Sequence, residues 1–83
     1  MNYQEEMEKL FNETQDKLAE GISALIRNIN NKEQIVEFLR NMKSQPTIDI
    51  IIRINKIAIE KEDYETCEAL KEYSKGKGIN LIN

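Results

Sequence analysis

Apolar residues recur at three- and four-residue steps from Tyr3 to Ile29, and no other pattern in the chain limits its fold so strongly. Tyr3, Met7, Leu10, Phe11, Thr14, Leu18, Ile22, Leu25, Ile26 and Ile29 make one stripe. That spacing predicts a single helix over about 2–29. Glu5, Glu6 and Glu8 sit near its start, where negative charge opposes the helix dipole. Gly21 is its weak point, costing about 1 kcal/mol relative to alanine. Such a helix is roughly 40 Å long, longer than any other element here. Either it kinks near Gly21, or its first half projects and finds a partner. Strict heptads do not persist far enough for the spacing alone to specify a coiled coil.

Three shorter helices are expected beyond it. Asn28, Asn30 and Asn31 break the pattern, and Asn31 with Gln34 three residues on reads as a capping box. The second helix spans about 32–43 and turns Ile35, Val36, Leu39 and Met42 inward, with Phe38 widening that face. Pro46 closes it, because the residue before a proline resists helical geometry. The segment 47–61 carries two signals. Thr47 caps a helix with Asp49 in its first turn, yet Ile48, Ile50, Ile52 and Ile54 alternate as in a strand. The apolar positions run on through Ile57, Ala58 and Ile59, too long for an ordinary strand. A third helix is therefore expected, with α+β and a short strand at 47–54 as the alternative. Asp63 caps a fourth helix over about 63–75, with Tyr64, Cys67, Leu70 and Tyr73 inward and Gly76 and Gly78 stopping it. The tail 79–83 is apolar enough to fold back on the rest.

The expected fold is all-α, a small four-helix arrangement of two antiparallel helical hairpins in one domain, packed around the Ile-rich third helix. Thirteen isoleucines and six leucines against five aromatics predict an aliphatic core. With 83 residues that core is small, so dimerisation or a partner surface is expected to add stability.

Composition removes several function classes. Histidine is absent, and with it the commonest general base and metal ligand. The single cysteine, Cys67, forms no intrachain disulfide and reads as a packed core thiol. No glycine-rich loop follows a strand, and Gly76-Lys77-Gly78 reads as a cap before an anion site. Glu60, Glu62, Asp63 and Glu65 lack calcium-loop spacing. No catalytic residue, cofactor or metal site is expected, and an enzyme is not. The net charge of −3 and the lack of a basic arm argue against nucleic acid as the main partner. No basic leader precedes an apolar core, and the longest apolar run, Ile50-Ile51-Ile52, is far too short for a membrane span. A cytoplasmic location is the expectation.

Glu65, Glu68 and Glu72 recur at steps of three and four, which places them on one side of the fourth helix. A solubilising outer face is the plain reading. An acidic docking surface for a basic protein partner is the functional one, with Tyr64 and Tyr73 flanking it as candidate anchors.

One stretch goes further. Ile57 and Ala58 close one helix, Asp63-Tyr64-Glu65 forms the corner, and Cys67 and Leu70-Lys71-Glu72 follow. Over about residues 51–74 this resembles the UVR motif, a helical hairpin that mediates protein–protein contacts in bacterial excision-repair proteins and some protease adaptors. Glu68 stands where the motif has a second small residue, and Ser74 where an apolar one closes its face. The resemblance implies a hairpin that docks another protein through a helix face. Together these readings predict a non-enzymatic adaptor or inhibitor, of a kind phages and mobile elements carry. The alternatives are a structural protein forming a homodimer through the N-terminal helix, and a small nucleic-acid-associated regulator.

Overall fold

A computed structural model describes residues 2–79 and 81. Four helices account for the described architecture: α1 (Tyr3–Ile29), α2 (Lys32–Arg40), α3 (Ile48–Glu60) and α4 (Tyr64–Gly76). Asn80, Ile82 and Asn83 of the predicted tail lie outside the described residues.

Each helix starts at a side chain that accepts an otherwise unsatisfied backbone N–H. Asn2 accepts from Gln4 N at 3.1 Å, Asn31 from Gln34 N at 3.0 Å, Thr47 from Ile50 N at 3.3 Å, and Asp63 from Thr66 N at 3.3 Å. α1 ends at Asn30, whose left-handed backbone (φ 46°) suits asparagine. α2 stops three residues short of the expected end. Gln45 explains this, since its side-chain amide donates to the Arg40 carbonyl at 3.0 Å and the Met42 carbonyl at 2.7 Å. The chain thus turns with its last carbonyls satisfied before Pro46. α4 ends through Gly78, at φ 72°, while Gly76 is its last helical residue.

The isoleucine-rich segment is helix, and the strand alternative at 47–54 is overturned. Ile50, Ile51, Ile54 and Ala58 are buried at helical spacing, whereas Ile48 and Ile52 face solvent. The alternation Ile48, Ile50, Ile52, Ile54 is a by-product of a helix with isoleucine on both its faces.

The two sequential hairpins interleave. α1 packs chiefly on α3 and α2 on α4, while the tight turn at 61–63 keeps α3 and α4 together. Asn12, Gln15 and Asp16 of α1 bond to Asp49 and Arg53 of α3. Further along, Glu20 and Arg27 line a groove with Ile57, Glu60 and Lys61, so α1 and α3 run in the same direction. Lys32 at the start of α2 meets Glu65 at the start of α4, and Gln45 beyond α2 meets Tyr73 late in α4. That pair is parallel too. The helices therefore form a ring in the order α1, α3, α4, α2. α3 is not the hub expected of it, because α2 lies across the diagonal without close backbone approach.

The core fills this ring with Ile26, Ile35, Leu39, Ile51, Ile54, Leu70 and Tyr73, and Leu81 of the tail packs against it. Ala19 and Ala69 are fully buried; their small side chains let helices approach closely. α1 contributes to the core only from Ala19 onward. Residues 2–14 are all exposed, and the long axis of 47 Å against 25 Å in the other two directions reflects this projecting arm. The helix runs unbroken through Gly21, and its first half projects beyond the bundle.

Candidate functional site

Glu65, Glu68 and Glu72 are all exposed on α4, and two of them reach across to α2. The Glu65 carboxylate accepts the backbone N–H of Lys32 at 2.9 Å, which places negative charge on the exposed first turn of α2. Glu72 lies 3.8 Å from the Lys32 ammonium, and Glu68 is 3.6 Å from Lys71 on its own helix. Two of the three glutamates therefore tie α2 to α4.

The tyrosines part company. Tyr73 is 2% exposed, and its hydroxyl donates to Gln45 Oε1. Burial raises its pKa, and the Lys77 ammonium lies 5.4 Å from its ring centre. As a core residue it offers no surface anchor, which removes Tyr73 from the expected docking face of Tyr64, Glu65, Glu68, Glu72 and Tyr73; the other four are exposed. Tyr64, expected inward, is 68% exposed. Nine residues from Tyr73, about two and a half turns, it falls on the opposite side of the helix. Cys67 is buried, and desolvation followed by the nearby Asp63 charge raises its pKa, so the thiol stays protonated. Among the described residues no group of three or more His, Cys, Asp or Glu side chains is placed to hold a metal ion. None of the described helices is long and apolar enough to cross a membrane.

Among the described residues, most of the exposed large apolar side chains lie on α1. Its stripe divides in two. Ile22 and Ile26 enter the core with Ala19 and Ser23, whereas Tyr3, Met7, Leu10, Phe11, Leu18 and Leu25 remain between 51% and 74% exposed. On a helical wheel, at about 100° per residue, Tyr3, Met7, Leu10 and Leu25 cluster on one side, Phe11 and Leu18 form the edge of that cluster within about 40° of Ile22, and Ile26 lies further round toward the core. That arithmetic was available in the sequence, where the positions read as one stripe. Gly21 falls within the exposed seam, and a Cβ there would meet nothing within 4 Å.

Arg53 of α3 fixes how the seam is presented. Its guanidinium donates to Asp49 at 2.8 Å, to Asp16 at 2.5 Å and to the Asn12 side chain at 2.9 Å, while Gln15 donates to Asp49 at 3.0 Å. The Arg53 bond, with Gln15 second, holds the Asp49 carboxyl below its ordinary pKa. This clamp is where α1 leaves the bundle, and it turns the seam away from α3. Next to Leu18 and Ile22, the 42–47 segment and Ile50 enclose an open apolar cleft of about 250 Å³. No family model, curated protein or solved structure matches this chain.

Proposed function

We propose that this chain is a small, cytoplasmic, non-catalytic protein–protein interaction module whose working surface is the exposed seam of α1. One observation carries the reading. Six large apolar side chains stand exposed along one face of α1, four of them on the projecting arm and Leu18 and Leu25 beside the residues that build the core. Isolated exposed leucines are ordinary, but an aligned row of this length marks a contact surface. Helix-face recognition suits it, with aliphatic and aromatic anchors at helical spacing. The seam would serve an adaptor or an inhibitor equally, since the two differ only in what the bound partner does next. Binding is tested by using the tagged protein as bait beside a Met7→Glu/Leu10→Glu variant whose helicity is unchanged by circular dichroism. A partner kept by the wild type and lost by the variant supports the reading. Identical recovery from both contradicts it.

A second surface has support of its own. Ile52, Ile59 and Tyr64 are exposed on the α3–α4 hairpin, the segment that resembles the UVR motif. If that hairpin docks a protein as the motif does, Ile52→Glu would abolish capture and Leu10→Glu would leave it intact.

A further inference from the structure

With Thr14 and Gly21 included in its line, and Phe11 set on its bundle-side edge, the central row of the α1 seam has a palindromic spacing. From Tyr3 it advances to Met7, Leu10, Thr14, Leu18, Gly21 and Leu25, by steps of four, three, four, four, three and four. Read backwards from Leu25 the steps are the same, with Thr14 at the centre. A two-fold axis through Thr14 therefore superposes every layer of the seam on a layer of a second copy. We infer that the seam's occupant is another copy of this chain, paired antiparallel along α1 about Thr14. The inference rests on the proposed interaction role and specifies the partner.

Size and charge both favour this pairing. The two-fold register sets Leu10 opposite Leu18 of the second copy, and Tyr3 opposite Leu25. Met7 meets Gly21 of the second copy, whose missing side chain leaves open space above the helix. A long side chain over a glycine is the large-on-small alternation that close helix packing needs. A parallel pair would instead place glycine on glycine and leave a gap. On the flank of the seam away from the bundle, Glu13 comes within reach of Lys17 of the second copy, and symmetry repeats the pair. Residues 2–14 carry four glutamates and one lysine, whereas residues 15–29 hold two acids and two bases. Antiparallel pairing lays each acidic arm against a neutral half, and it opposes the helix dipoles. A parallel pair would set both acidic arms side by side.

The extent is also adequate. The seam runs about 33 Å, and covering its exposed side chains on both copies removes on the order of 1,000 Å² from water, near the lower bound for a specific interface and in keeping with a micromolar-range dimer. Phe11, on the bundle side of the seam, would reach the cleft beside Leu18 and Ile22 of the second copy.

Sedimentation velocity over a series from micromolar to millimolar tests the state, and mixing two charge variants tests the register. The wild type is expected to sediment as a dimer of the 9.7 kDa chain. Leu10→Glu enters the interface twice by symmetry and should raise the dissociation constant roughly 100-fold. Glu13→Lys alone, or Lys17→Glu alone, sets like charges against each other in its own homodimer. Mixed, the two variants should form a heterodimer in preference to either homodimer. Failure of the mixture to favour the heterodimer would overturn the register. A dimer indifferent to Leu10→Glu would overturn the seam as its interface. A wild-type monomer throughout the series overturns the inference. If such a monomer still captures a different protein through the seam, the interaction role stands without self-pairing; if it captures none, both fail.

Discussion

Glu62 holds, at the end of α3, the position that Gly78 holds at the end of α4. In each case the following residue reaches back across the last turn. Asp63 N bonds the Ala58 carbonyl at 2.8 Å, and Ile79 N bonds the Ser74 carbonyl at 2.8 Å. The inner bonds match as well, Glu62 N to Ile59 O at 3.1 Å and Gly78 N to Lys75 O at 3.2 Å. Both helices thus close with the same motif, which places its pivot residue in the left-handed region. Gly78 adopts φ 72° freely, whereas Glu62 adopts φ 56° against its Cβ.

Glu62→Gly should therefore stabilise the protein, by about 0.5–1 kcal/mol after the extra freedom glycine gains in the unfolded chain. In a chain this small that is a rise of a few degrees in melting temperature. Gly78→Ala should act in the opposite direction. Thermal denaturation of both variants checks the pair, and a destabilised Glu62→Gly would contradict this account of the turn.

Ser74 is 1% exposed, and its hydroxyl has no hydrogen-bond partner among the described residues. Ser74→Ala removes a desolvated polar group and improves helix propensity, so a gain of about 1 kcal/mol is expected. The neighbouring Tyr73→Phe should cost about 1 kcal/mol, because it removes the bond to Gln45 and leaves that acceptor short of a donor. Urea midpoints at unchanged slope would show the two effects with opposite sign.

Asp49 gives the α1–α3 clamp a defined pH dependence. Its folded pKa lies below the ordinary value of 3.8, first through the Arg53 hydrogen bond and then through Gln15. A depressed carboxyl contributes its stability at pH values above the unfolded pKa and loses it as pH falls through the folded one. The melting-temperature advantage of the wild type over Arg53→Met should be constant near neutrality and shrink below about pH 4. An NMR titration of the Asp49 carboxyl should show its pKa rise toward 3.8 in the variant. An unchanged Asp49 pKa in Arg53→Met would contradict the clamp.

The acidic face of α4 should behave unevenly. Glu65→Ala removes the acceptor at the start of α2 and is expected to cost about 0.5–1 kcal/mol. Glu68→Ala, which loses only an exposed pair with Lys71, should be near neutral. Equal effects at the two positions in chemical denaturation would mean that Glu65 does not tie α2 to α4.

Much of the fold was legible because it rests on local chemistry. Asn31, Thr47 and Asp63 are caps in the sequence and in the structure, and Ile35, Val36, Leu39, Cys67 and Leu70 are buried as their spacing implied. The arrangement of the helices needed information about neighbours. Which helix sits beside which depends on long-range contacts such as Arg53 with Asp16 and Lys32 with Glu65, and single-residue periodicity does not encode them. Tyr73 is buried as its spacing from Leu70 implied, which takes it out of the docking face placed on α4, and Gln45, distant in sequence, supplies its hydroxyl a partner. The turn at Glu62 was hidden because glutamate carries no signal for a left-handed backbone. The α1 seam was present in the residue spacing, but only the core's claim on Ile22 and Ile26 shows which part of the stripe is left exposed.

The central claim, that α1 pairs antiparallel with a second copy about Thr14, is tested most directly by disulfide trapping in a Cys67→Ala background. Thr14→Cys should cross-link to itself under mild oxidation. Met7→Cys and Gly21→Cys should each fail alone yet cross-link when mixed, since that register sets position 7 against position 21 and facing cysteines need Cα atoms about 5.5 Å apart. Met7→Cys cross-linking to itself as readily as Thr14→Cys would indicate a parallel pair, and no cross-link at Thr14→Cys at any concentration would contradict the account.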